Sequence, residues 1–206
     1  MTDQARAARE DLAFMKELAE DRGPAPSHFG EQIFWPGLLY GLNIIYAWVG
    51  MTGAAPWPDN WYERFGFLAW GPATAVYLPL LIWFGFRGYY RSTGLAARMF
   101  TGAWSVAGFM CMTCIAVLIV ASYKMKVNYA VVWPSIAMTI YGSAWLAQGI
   151  LRRHLWLLLL AAGCCVTAVV MAFLVGQNEM WLVMGLGLLA FMALPGGLIM
   201  RRKVSS

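Results

Sequence analysis

Six apolar runs, each about as long as the roughly 20 helical residues needed to cross a hydrocarbon core, leave this chain few folds to choose from. They lie near residues 33–51, 67–86, 100–121, 129–151, 155–175 and 180–200. A backbone in lipid finds no water, so its amides must be satisfied within a helix or within a closed barrel. The residue-by-residue alternation of barrel strands is absent, and the runs read as helices. Composition agrees, because 61% hydrophobic against 12% charged residues is too apolar a balance for a soluble domain of 206 residues. The expected fold is all-α: a polytopic membrane protein whose residues 32–201 form a six-transmembrane-helix bundle, followed by a short tail at 202–206.

Ahead of the first run stands the one sizeable stretch suited to water, DQARAAREDLAFMKELAED at residues 3–21. On a helical wheel Ala5, Ala8, Leu12, Phe14, Met15, Leu18 and Ala19 fall on one half, and all the charges except Asp11 fall on the other. Asp3 can cap its start and Gly23-Pro24 stops it, so residues 1–31 are expected to hold a cytoplasmic amphipathic helix and a linker. Four basic residues against seven acidic ones give this segment a net charge of −3, while the rest of the chain carries +8. An anionic leaflet repels such a helix, so Leu12, Phe14, Met15 and Leu18 are expected to bury against protein.

The basic residues fix the orientation. With the N-terminus in the cytoplasm, that side receives twelve of them, among them Arg87, Arg91, Arg98, Arg152, Arg153, Arg201, Arg202 and Lys203, and the other side only Arg64, Lys124 and Lys126. Both termini are therefore expected in the cytoplasm of a bacterial inner membrane. The basic pI is a topology signal, with the lipid bilayer as partner and no nucleic acid implied. Some thirty polar residues precede the first apolar run, the reverse of a secretory leader, so the N-terminus is expected to be retained. Trp35, Trp48, Trp70, Trp83, Trp104, Trp133, Trp156 and Trp181 fall near the ends of the runs, as an interfacial aromatic belt requires. Short loops make neighbouring spans antiparallel. The longest outer loop, residues 52–64, reads as a segment lying in the interface.

Ionisable residues in mid-span are the usual mark of ion coupling or proton relay, and none is present here. This argues against a coupled carrier and against a membrane hydrolase, and no catalytic, cofactor-binding or metal-binding residues are assigned. Cys111, Cys114, Cys164 and Cys165 all lie in apolar runs with no charged neighbour to activate a thiol, and read as packing residues. Only two histidines exist, His28 and His154, both read as interface or loop residues. Asn43, Tyr77 and Gln148 are the candidate ligand contacts or interhelical hydrogen bonds, accompanied by Thr74, Ser105, Thr139 and Ser143. Gly37 and Gly41 form a GxxxG pair expected to serve internal helix packing. Pro36 and Pro134 are placed in first turns, Pro79 is deep enough to kink span two, and Pro195 should loosen the end of span six. The pairs Tyr40-Gly41 and Tyr141-Gly142 follow Trp-Pro in spans one and four, but their spacing differs and no repeat is claimed.

Three stretches, EDLAFMKELAEDRG, AWLAQGILRR and EMWLVMGLGLLAFMALPGGLIMRRK, resemble a group of uncharacterised six-helix inner-membrane proteins of Gram-negative bacteria. The resemblance implies topology and location, and carries no activity, cofactor or functional residue. Two functions fit the sequence. The first is a non-enzymatic protein-interaction, accessory or regulatory subunit that engages a membrane or cytoplasmic protein partner through residues 3–21. The alternative is a binder or uncoupled permease for a neutral or apolar small molecule such as a lipid, isoprenoid or quinone.

Overall fold

A computed structural model describes residues 12, 27–53, 71–91 and 95–201. Helix α1 (Ser27–Met51) is followed by α2 (Gly71–Arg91) and α3 (Leu95–Met125). A 3-10 turn at Tyr129–Val132 leads into α4 (Trp133–Arg152), and α5 (Leu155–Phe173) returns. Helix α6 (Glu179–Leu188) passes through a π-helical turn, Leu189–Ala193, into α7 (Leu194–Arg201). No strand occurs among the described residues. Four segments are long and apolar enough to cross a membrane: Gly30–Met51, Gly102–Met125, Leu155–Phe173 and the continuous rod Glu179–Arg201.

Helix α4 falls outside those four although it holds much of the core, with Trp133, Pro134, Ala137, Met138, Trp145 and Gln148 all buried. A helix wrapped by other helices can carry small and polar residues that lipid would penalise. Its polar side chains on the open side are satisfied locally: the hydroxyl of Thr139 donates to the Ser135 carbonyl and that of Ser143 to the Thr139 carbonyl, each at 2.9 Å. Thr167 on α5 does the same to the Gly163 carbonyl at 2.8 Å.

A close backbone approach joins the first and last described helices. A Cβ built on Gly196 would lie 2.6 Å from the Phe34 amide nitrogen, and one on Gly37 would lie 2.5 Å from the Ala193 nitrogen. Gly41 in turn faces Leu189 and the Gly185 carbonyl, and Gly30 faces Gly196 and Met200. The contacts run in opposite order along the two chains, so α1 is antiparallel to α6 and α7. The Gly37–Gly41 pair thus packs inside the molecule, as its sequence suggested, and small residues let the two backbones touch.

The remaining registers follow the same logic. Trp104 of α3 meets Trp145 of α4, while Cys111, seven residues on, bonds Tyr141, four residues back. Gly142 packs on Ala161 and Cys164 of α5, and Gly149 packs on Leu158. Gly163 abuts the Phe191 ring, and Gly187 abuts Thr167. Helices α3, α4, α5 and α6 therefore alternate in direction. The α4–α5 reversal is tight because Arg153 adopts a left-handed conformation at φ 54, and its N–H and that of His154 both reach the Gly149 carbonyl.

The placement of Pro36 in a first turn needs correction. Helix α1 begins at Ser27, ahead of the apolar run at 33, because Gly30 already packs against the last helix. Pro36 is consequently the tenth residue of α1, well past its first turn. Pro134, by contrast, sits at the start of α4, where its missing N–H removes nothing from the ladder. The disruption ascribed to Pro195 begins one turn earlier than its own position, in the π turn.

Candidate functional site

The antiparallel registers gather specific chain ends at one end of the bundle. There lie the start of α1, the start of α3, the α4–α5 reversal and the end of α7. Helix α2 closes on Arg91 and only residues 92–94 separate it from α3, so its end belongs there too. Arg91, Arg98, Arg152, Arg153 and Arg201 consequently share this end, with Arg153, His154 and Arg201 exposed and Arg152 half-buried. The opposite end carries Lys124, Lys126 and Glu179. Lys126 extends over the Tyr123 ring at 4.8 Å from its centroid.

Residues 13–26 lie outside the described residues, and with them Phe14, Met15 and Leu18 of the expected docking face. Leu12 is described, and it is exposed. Of the outer loop only Thr52 and Gly53 are described. Helix α1 starts at this basic end, with Gly30 beside Gly196 and Met200.

Within the bundle a second grouping appears. The hydroxyls of Tyr40 on α1 and Thr74 on α2 are 2.9 Å apart. The Tyr77 ring stands edge-on to Tyr40, with centroids 5.9 Å apart. Elsewhere the Cys111 thiol of α3 is hydrogen-bonded to the Tyr141 hydroxyl of α4. The Tyr141 hydroxyl also lies within electrostatic range of Tyr40 and Tyr77. Two pairs of neutral X–H groups, Tyr40 with Thr74 and Cys111 with Tyr141, thus bridge helices, whereas Thr139, Ser143 and Thr167 bond back to their own helices. The reason is geometric: a tyrosine hydroxyl cannot reach its own backbone, so a phenol inside a helix bundle must find a partner on another element.

Next to this cluster is an aromatic stack. The Trp104 ring lies over Tyr141, with centroids 6.2 Å apart, and meets Trp145 edge-on at 5.1 Å. Trp156 of α5 follows at 6.4 Å from Trp145. Trp145 is fully buried, and its Nε1 donates to the Phe191 carbonyl at 2.9 Å. Of the tryptophans expected in the belt, Trp35 and Trp83 are exposed, whereas Trp133 is buried and Trp104, Trp156 and Trp181 are half-buried against the core. Tryptophan buries more area than any other side chain, so a protein interior competes with the interface for it.

Of the polar candidates named from sequence, Tyr77 joins the cluster, while Asn43 is half-buried and Gln148 is buried at 1% exposure. Asn43 and Gln148 are both engaged with partners. Tyr40, Cys111 and Tyr141 were not singled out as site residues, although both tyrosines stood in the Tyr-Gly pairs of the sequence. The four cysteines are free thiols: Cys111 and Cys164 are buried, and Cys165, one residue round the helix, is exposed. Among the described residues no three His, Cys, Asp or Glu side chains group as a metal site. No protein-family model matches this chain, and neither does any curated protein or solved structure.

Proposed function

We propose that this chain is a non-enzymatic six-span protein of a bacterial inner membrane, an accessory or regulatory subunit whose acidic helix, residues 3–21, engages protein at the basic cytoplasmic end of the bundle. The six-span reading adds α2 and α4 to the four apolar segments. Helix α4 has 20 residues and runs antiparallel to α3 and α5, so its length matches the thickness they cross. Helix α2, with 21 residues, packs beside α1 through Tyr40 and Thr74. The antiparallel first and last described helices support an even number of crossings, with both termini on one side. The excess of arginine at that end favours the cytoplasm.

The observation that carries the interaction role is the departure point of the N-terminal segment. Residues 3–21, with a net charge of −3, precede the helix that starts at the end where Arg153 and Arg201 are exposed. Opposite charges held at short range steer association and favour contact with protein over an anionic leaflet. Leu12, Phe14, Met15 and Leu18 supply the apolar face of that contact. The test is removal of residues 1–21 from the membrane-embedded protein. Loss of a co-purifying chain or a fall in Tm is expected. Retention of both the partner set and the Tm would remove the proposal.

A further inference from the structure

We infer that the basic end of α3, α4 and α5 seats the phosphate headgroup of an anionic phospholipid, with Arg153 and Arg98 supplying its positive charge. This goes beyond the interaction role and does not depend on residues 3–21. Arg152, Arg153 and His154 form the tip of the α4–α5 hairpin, where Arg153 and His154 are exposed. Arg98 stands at the same level on α3. Trp104 meets Trp145, and from that contact six residues back along α3 and seven forward along α4 both travel about 9–10 Å toward this end. Phe65 through Asn178 hold no aspartate or glutamate, so α3, α4 and α5 carry no carboxylate to balance these arginines. Glu31, the described carboxylate at this end, stands on α1, which packs against α2, α6 and α7. The acidic segment 3–21 also belongs to the α1 side of the chain.

The surface below the arginines decides which anion fits. Ile150 and Leu151 precede the tip, Leu155 and Leu159 follow it, and all four are exposed, by 63, 53, 71 and 64%. A soluble phosphate gains nothing from such a surface. A phospholipid brings a phosphate and acyl chains together, so its head meets the arginines while its chains cover the apolar residues. Guanidinium groups suit this partner because they bond phosphate oxygens in a charge-assisted way. The tip is also held in one geometry, with the N–H groups of Arg153 and His154 both on the Gly149 carbonyl, so little ordering is needed on binding.

The experiment equilibrates the full-length protein with mixed micelles holding equal amounts of phosphatidylglycerol and phosphatidylcholine, and counts retained lipids by native mass spectrometry. Preferential retention of phosphatidylglycerol is expected, and inorganic phosphate should not displace it. Arg153→Asn removes the charge with a residue that suits the left-handed backbone, and should weaken retention roughly fivefold without lowering Tm. Arg98→Gln provides a second variant should Arg153→Asn fold poorly, and the same weakening is expected. Arg201→Gln removes an equal charge from the same end but away from the hairpin, and should leave retention unchanged. Equal retention of the two lipids, displacement by inorganic phosphate, unchanged retention in either hairpin-end variant of normal Tm, or an equal loss in Arg201→Gln would each overturn the site.

Discussion

The indole nitrogen of Trp145 donates a hydrogen bond of 2.9 Å to the carbonyl of Phe191, which an uninterrupted α-helix would offer to residue 195. Residue 195 is proline and has no N–H to give. The π turn Leu189–Ala193 and the tryptophan on the neighbouring helix are thus two parts of one arrangement, in which a side chain replaces the backbone donor that proline removed. A carbonyl left orphaned in this buried setting would cost about 1–3 kcal/mol.

Replacing that donor gives a direct prediction. Trp145→Phe should destabilise the protein by about 2–4 kcal/mol, combining the orphaned carbonyl with the space left by the smaller ring. Pro195→Ala restores a backbone N–H at the right position and should recover about 1 kcal/mol in the Trp145→Phe background, and less in the parent. A double-mutant cycle of thermal or denaturant unfolding in detergent checks it. Additive effects of the two changes would show that the nitrogen and the proline are unrelated.

The seam between the first and last helices should be the least tolerant surface in the molecule. A Cβ at Gly196 meets the Phe34 amide nitrogen at 2.6 Å and the Gly30 carbonyl at 2.8 Å, both backbone atoms that cannot rotate away. Gly196→Ala should therefore cost about 1–3 kcal/mol through forced separation of the helices. Gly108→Ala on α3, where a Cβ would meet nothing within 4 Å, should be neutral or stabilising by about 0.5–1 kcal/mol. Comparing Tm for the two variants decides whether close approach or glycine content governs stability.

Arg153 holds a left-handed conformation that side chains other than glycine and asparagine adopt at a cost. Arg153→Gly should raise stability by up to about 1 kcal/mol, because the reversal keeps its bonds to the Gly149 carbonyl and loses the strain. The same change removes one positive charge from the basic end. Cysteine-labelling of the loops should show an unaltered orientation, since several arginines remain there.

The four membrane-length apolar helices were legible because twenty residues without charge admit one kind of backbone in lipid, and the α4–α5 reversal followed from its short loop. The partner of the Gly37–Gly41 pair was not legible. Gly185, Ala193 and Gly196 lie far away in sequence, and the last run offers other small residues, Gly187, Ala190 and Gly197, that could have served as well. The aromatic stack was misread for a related reason. Trp104 and Trp156 stand near the ends of apolar runs, where interface and core make the same demand on a tryptophan, and only the position of Trp145 on the intervening helix resolves it. Cys111 and Tyr141 come together through the register of α3 and α4, and Tyr40 meets Thr74 through that of α1 and α2, and each alone looks like an ordinary packing residue. A phenol in mid-span, unable to bond its own helix, was the signal that could have pointed to them.

The claim that residues 3–21 engage protein is tested most directly by placing a photo-crosslinking amino acid at Leu12 in the full-length protein and irradiating intact membranes. The account predicts a crosslink to polypeptide, either to the Arg152–Arg153 or Arg201 end of this chain or to a second protein, and its loss when Phe14 and Leu18 are changed to glutamate. Crosslinking to lipid alone, unaffected by Phe14→Glu and Leu18→Glu, would contradict it.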